Sequence, residues 1–512
     1  MDARNVRKVV IAGGGTAGWM AAAALSKTLG NCLDIELIES DEIGTVGVGE
    51  ATIPTLVTFH RLLDINEQEF MAAVQGTFKL GIAFENWRNI NENYIHSFGE
   101  TGRDHWTAGF QHFWLKGLER GIDEDYGEYC LELKAAQENK FAHLPKTRLN
   151  YAFHLDATLY AKYLRRFSEG FGVRRTEGKI VDVGIDSRSG FIDFVRLDSG
   201  EQIEGDLFID CTGFRGLLIG QTLNMGYEDW SHWLPCDSAV AVQTESTGEA
   251  VPYTRSIARD AGWQWRIPLQ HRVGNGIVYS SRYISDEDAK KTLLENVEGE
   301  LLTAPRVIRF RPGQRVQHWK NNCIAIGLAS GFIEPLESTS IHLIQRGMIR
   351  LMQMFPSVGI KQSDIDEFNQ QTRFEIENIR DFIVLHYHVT DRRDSPFWRD
   401  CSSMAIPASL AHRIALFRES GRVFKVPNEL FGENSWTQVM LGQGIMPQQY
   451  HPIVDVMSDE DLSRFLQGIR SSVANTVAQL PGHQAYVEQY CKATNPDEKA
   501  VESRRQARLR SN

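Results

Sequence analysis

The sequence has 512 residues, of which 42% are hydrophobic and 24% charged, and its formal net charge is −11. That balance suits a soluble protein with a substantial core, in one large domain or several ordinary ones. It argues against a nucleic-acid binder, which needs basic surface to displace counterions, and no apolar run reaches the ~18 residues of a membrane helix.

From the N-terminus, Met1 to Asn5 lead directly into a strand-like run, so no signal peptide is expected. Lys8 to Gly13 (Lys-Val-Val-Ile-Ala-Gly) reads as a buried parallel strand. A glycine turn follows, then a helix from about Thr16 to Lys27. A second strand runs from Leu33 to Ile38 and ends at Glu39. This is a βαβ unit opening an α/β domain.

Gly13-Gly14-Gly15-Thr16-Ala17-Gly18 in that unit fits G-x-G-x-x-G. Gly13 allows the tight turn, Gly15 lets backbone approach a pyrophosphate, and Gly18 permits close packing of helix on strand. The helix start at Thr16 and Ala17 then faces the phosphates. Glu39 can bind a ribose hydroxyl. The hexamer alone is a weak signal, but between a strand and a helix it predicts a dinucleotide site.

The middle third, about 173–330, is richer in β-branched residues and reads as mixed sheet. Phe208-Ile209-Asp210-Cys211-Thr212-Gly213 closes a strand on a small-residue turn, as flavoproteins often do. Cys323 to Ala329, containing Leu328, resembles a later flavoprotein contact, though without the Asp that commonly follows its glycine. Their order favours FAD over NAD.

The last third turns helical. Ser363-Asp364-Ile365-Asp366 resembles a capping box. Ile365, Phe368, Thr372, Ile376, Ile379 and Ile383 then mark one buried face. Another helix begins near Ser458, carries Leu462, Phe465, Ile469, Val473 and Val477, and stops at Pro481-Gly482. The tail at 496–512 is charged and reads as disordered. The seven cysteines are scattered, with no C-x-x-C pair, which points to a reduced cytoplasmic setting and no metal site.

Four further segments resemble the flavin-dependent tryptophan halogenases. They are Gly47-Val48-Gly49-Glu50-Ala51-Thr52-Ile53-Pro54, Phe78-Lys79-Leu80-Gly81-Ile82-Ala83-Phe84 with Trp87 beyond, Gly262-Trp263-Gln264-Trp265-Arg266-Ile267-Pro268, and Glu334-Pro335-Leu336-Glu337-Ser338-Thr339. The third matches the specific W-x-W-x-I-P signature. With the N-terminal glycines and further matches to about 440, the resemblance covers most of the chain.

The resemblance implies an FAD-binding, monooxygenase-like α/β flavoprotein fold with mixed sheets and a mainly helical substrate module. The FAD-binding module would span 1–85 and 150–360, and the helical module 86–149 and 361–495. Gly49, Glu50, Ala51, Ile180, Leu328 and Ile341 would join the glycine turn at the flavin. A separate NAD(P)H-dependent reductase would supply FADH2, since no second nucleotide-binding unit is visible. The other partner would be a small aromatic substrate, with no nucleic acid or membrane; a homodimer stays open.

Each site residue also has a plainer reading. Trp263 and Trp265 lie on one side of a strand because side chains alternate, and the pattern fits a buried core pair; the family reading makes them a wall shielding the flavin. A lone Lys79 in an apolar run is ordinarily a snorkelling side chain, yet it matches the family's essential lysine. Glu337 could be a helix-start carboxylate or the carboxylate facing Lys79. Amides at Thr339 and Ser340 would cradle chloride or bromide. The family usually has glycine at the Ser340 position, which leaves the halide preference open.

His96, Phe98 and Trp436 resemble the rings that sandwich the substrate, with core packing as their plainer reading. The tyrosine pair and glutamate by which tryptophan halogenases grip the amino acid are not matched in Pro427 to Trp436. A simpler indole is therefore expected rather than free tryptophan. The rival readings are a flavin-dependent aromatic monooxygenase and a non-catalytic FAD-binding protein.

Overall fold

The computed structural model describes residues 5–42, 49–122, 124–144, 149–356 and 358–493. Gly47, Val48 and the tail at 496–512 lie outside them.

The strand Lys8–Ala12 sits inside a six-stranded sheet between Leu207–Asp210 and Asp34–Glu39. Both pairings are parallel, with Ile11 level with Ile209 and Leu37. Val9 to Ala12 are wholly buried, as expected of a parallel strand covered on both faces. The helix Thr16–Leu29 packs on this sheet through the buried run Ala21 to Ala24. Two glycines make the turn possible. Gly13 has φ +106°, and a Cβ there would meet the Cys211 carbonyl at 2.4 Å; a Cβ at Gly18 would lie 1.8 Å from the Gly13 carbonyl.

A seven-stranded sheet forms the second layer. In order it holds Arg306–Arg309, Ser238–Thr244, Val273–Tyr279, Gly262–Pro268, Thr254–Arg259, Gly81–Glu85 and Asn93–Ser97. Trp265 faces Gly276 in register. A Cβ at 276 would lie 2.0 Å from the Trp265 ring, so the glycine makes room for the indole. A small antiparallel sheet joins Gly49–Ala51 and Thr77–Lys79 through Ala152–Asp156, placing Glu50 opposite Leu155 and Lys79 opposite Ala152.

The helix Gln362–His388 buries Ile365, Phe368, Thr372, Ile376, Ile379 and Ile383, the face expected from its spacing. Its start corrects the capping-box expectation. The extended residue is Lys361 (ψ 142°), with no side-chain cap, so Ser363 already lies within the first turn. The helix Asp459–Ala478 does begin at Ser458, whose side chain accepts from the Asp461 amide. It ends before Pro481. His483, opening the next helix, accepts a hydrogen bond from the Phe78 amide at 3.1 Å and donates through Nδ1 to the Ala250 carbonyl at 2.6 Å. Among the described residues no helix is long and apolar enough to cross a membrane.

Candidate active site

A cavity of about 520 Å³ opens where the glycine turn meets the seven-stranded sheet. Gly13, Gly15, Thr16 and Ala17 line it, as do Glu39, Glu50, Ala51 and Ile180. Trp263, Trp265, Leu328, Ser340 and Ile341 complete the expected set. Gly18, Gly49 and Thr339 are not on its wall: Gly18 packs under Gly13, and Gly49 pairs with Asp156.

The cavity suits a flavin dinucleotide. A Cβ at Gly15 would meet nothing within 4 Å, so backbone there is open to an approaching phosphate. Glu39 is held at the strand end by Trp19 Nε1 (3.2 Å) and Arg175 Nε (2.5 Å). Burial pushes the Glu50 carboxyl up to about 7. Trp263 and Trp265 are buried on one side of their strand, ring centroids 6.3 Å apart. They are core residues and cavity wall at once.

Lys79 and Glu337 are not on the cavity wall and are both at 0% exposure. Lys79 Nζ donates to the Thr52 carbonyl at 3.0 Å and to Ser338 Oγ at 2.8 Å. It stands 5.2 Å from the Phe98 ring centroid. Burial pulls the ammonium down to about 7, with Glu337 opposing the shift. Ser338 itself lines the cavity, so a single residue bridges Lys79 and the cavity. Its φ is +58°, a left-handed conformation uncommon for a residue with a Cβ.

Glu337 ends the short 3₁₀ turn Pro335–Glu337. His96 Nδ1 lies 3.1 and 3.0 Å from its two oxygens, and His386 Nε2 lies 2.9 Å from Oε1. Burial pushes this carboxyl up, but the two imidazoles outweigh it and hold the group at about 2. Glu334 is also fully buried, and there burial prevails, raising it to about 8. Glu337 is therefore the member of the segment that is charged near neutral pH.

The backbone turns at Thr339 into the helix Ser340–Gln353. Thr339 Oγ1 is buried without a hydrogen-bond partner. His96 and Phe98 fall beside Glu337 and Lys79, but Trp436 stands further off. Phe382 touches both His96 (5.4 Å) and Trp436 (4.8 Å), and stacks on Phe431 at 3.8 Å. Arg413 covers Trp436 at 4.1 Å. Phe382 thus links His96 to Trp436.

Glu429 is engaged by Arg413, the Val426 amide and Trp436 Nε1, and Glu433 accepts from the Lys425 amide. Sequence reasoning missed Ser338, Thr52 and His386 as site residues. A serine, a carbonyl and a histidine on a helix carry no signal until the fold brings them to Lys79 and Glu337.

A glycine-turn α/β fold around such a cavity defines an FAD-binding enzyme. The profile of the tryptophan halogenase family matches residues 8–459. The structure is similar to Xcc4156, a flavin-dependent halogenase from Xanthomonas campestris: 65% identity, 96% of this chain and 100% of that one covered, TM-score 0.95. It is also similar to BrvH, a flavin-dependent halogenase from Brevundimonas sp. BAL3, at 44% identity, 95% and 99% coverage and TM-score 0.91. Tryptophan 6-halogenase SttH of Streptomyces toxytricini is 36% identical over 95% of this chain and 98% of its own length. The chain belongs to the tryptophan halogenase family and is a flavin-dependent halogenase.

Proposed function

We propose that this protein halogenates an indole, or a similarly electron-rich ring, by electrophilic attack at Lys79 and Glu337. The observation that carries this reading is the burial of an amine and a carboxylate against Ser338, one residue from the flavin cavity. Reduced FAD in that cavity, delivered by a separate flavin reductase, supplies with oxygen the oxidation of chloride or bromide to hypohalous acid. The FAD-binding module, 1–85 and 150–360, holds the cofactor. The helical module, 86–149 and 361–495, covers the substrate.

Each residue then has a task. Gly13, Gly15, Thr16 and Ala17 receive the pyrophosphate, with Gly18 packed beneath Gly13, and Glu39 receives a ribose. Glu50, Ala51, Ile180, Leu328 and Ile341 surround the rest of the cofactor, with Gly49 carrying Glu50 on its strand. Trp263 and Trp265 keep organic substrate away from it. Thr339 and Ser340 hold the halide at the helix start. Lys79 donates a hydrogen bond to the hypohalous acid. The halogen–oxygen bond breaks as the carbon–halogen bond forms. Glu337 takes the ring proton, and the released hydroxide takes one from Lys79. Return of the proton from Glu337 to Lys79 leaves haloarene and one water.

His96, Phe98 and Trp436 form walls for the flat ring. With Glu429 and Glu433 already engaged and no tyrosine pair beside them, nothing there grips an α-ammonium, which favours a simple indole. Relatives such as SttH are named for tryptophan.

The test is product analysis by mass spectrometry with FAD, a reductase, NADH, oxygen, bromide or chloride, and a panel of indoles. Halogenated indole is expected. Hydroxylated product formed without halide would make the protein a monooxygenase. Bound FAD with no turnover would make it a binding protein.

A further inference from the structure

His386 has both ring nitrogens aimed at acceptors, deep in the molecule. It lies on the helix Gln362–His388 at 0% exposure. Nδ1 is 2.8 Å from the Phe382 carbonyl. A carbonyl cannot donate, so the hydrogen of that bond sits on Nδ1. Nε2 is 2.9 Å from Glu337 Oε1, although its in-plane N–H direction does not point along the line to that oxygen. At 2.9 Å a hydrogen on Nε2 gives the buried carboxylate a charge-assisted partner, which the lone pair of the neutral ring cannot, and the geometry therefore favours a hydrogen on Nε2 too.

The ring cannot turn away from this duty. Phe84 packs on it at 4.7 Å, Trp87 meets it edge-on at 6.2 Å, and Phe382 does so at 5.2 Å. Gln443 Nε2 donates to the His386 carbonyl at 2.9 Å, fixing the backbone beneath. The titratable groups facing the pair are His96 and Tyr94 from one strand and Lys79 from another.

We propose that His386 is a positioning residue for halogenation: as an imidazolium anchored on the Phe382 carbonyl, it pins Oε1 of Glu337 and keeps that carboxylate ionised. His96 shares the task, touching both oxygens through one nitrogen. Oε2 is the oxygen His386 leaves uncommitted, and the ring proton is received there. Without His386 the carboxylate loses a charge-assisted partner. It then protonates at a higher pH and ceases to act as a base.

The kinetic arm of the test rests on the proposed halogenation; the spectroscopic arm does not. In protein labelled with ¹⁵N-histidine at pH 7.5, the two ring signals lost in His386→Gln should both fall in the protonated range. One signal in the unprotonated range would overturn the assignment. In turnover, His386→Phe should lower kcat for halogenation by about tenfold or more, with KM changed by less than about threefold. It should add an acid limb above pH 5 that the parent lacks. His386→Gln, which restores one donor, should recover part of kcat. FAD binding and flavin reoxidation, measured in each variant, should stay at parent levels. A parent-like pH profile and kcat in His386→Phe would reject the role. If the parent halogenates no arene, the functional reading fails, and the nitrogen signals still decide the state of His386.

Discussion

Lys79 Nζ and Ser338 Oγ are joined at 2.8 Å, and Ser338 also faces the flavin cavity. The amine is thus fixed one side chain away from the cavity proposed to make the oxidant. Lys79→Ala should abolish halogenated product while flavin reoxidation continues, because the cavity wall survives. Product by mass spectrometry and flavin absorbance in stopped flow separate the two. Near-normal halogenation by this variant would remove Lys79 from the mechanism.

Glu337→Gln keeps the shape of the side chain and removes its charge. A positioned base contributes roughly 10²–10⁴-fold, so halogenation should slow by about 10²-fold or more. Single-turnover rates with preformed FADH2 check this. A loss below about threefold would mean that another group takes the ring proton.

The pH dependence has a definite sign. Burial holds Lys79 at about 7 and the imidazoles hold Glu337 at about 2. From pH 5 upward Glu337 stays ionised, while Lys79 passes from ammonium to amine as pH rises through about 7. If the ammonium is the active form, kcat for halogenation should fall on the alkaline side. A rate that climbs through the same range would assign the work to the free amine, by way of a haloamine.

Ser340 stands where the family usually carries glycine, at the start of the helix Ser340–Gln353. A Cβ and hydroxyl there alter the space beside the proposed halide amides. We expect bromide to be used at least as well as chloride. Turnover in equimolar halides gives the ratio directly, and chlorinated product alone would contradict the expectation.

Gly276→Ala would place a Cβ 2.0 Å from the present Trp265 ring. The indole would have to shift towards the cofactor. Overpacking of this kind costs roughly 1–3 kcal/mol. Lower FAD affinity and a reduced melting temperature should appear together. An unchanged flavin titration would show that Trp265 yields in another direction.

The N-terminal unit could be read from the sequence because its geometry leaves few substitutes. Gly13 and Gly18 are required by a positive φ and a 1.8 Å approach, and such demands leave a spacing behind. Lys79 and Glu337 were visible only through family resemblance, since a lone lysine in a strand has no local mark. Ser338 lies 259 positions from Lys79, and His386 reaches Glu337 only once a long helix is packed. The start of that helix was misplaced by one turn-forming serine because Lys361, extended just before it, carries no cap signature. Trp436 meets His96 only through Phe382, a link between three separate segments that no local spacing marks.

The hydrogen bond from the Phe78 amide to His483 has a practical corollary. The family profile ends at residue 459, yet the strand bearing Lys79 is tied down from beyond that point. Trimming the chain at the end of the profile match would untie the neighbour of Lys79 and strip Phe141 and Phe78 of the aromatic cover given by Tyr486. The folded unit that holds Lys79 in place is longer than the stretch the family profile matches.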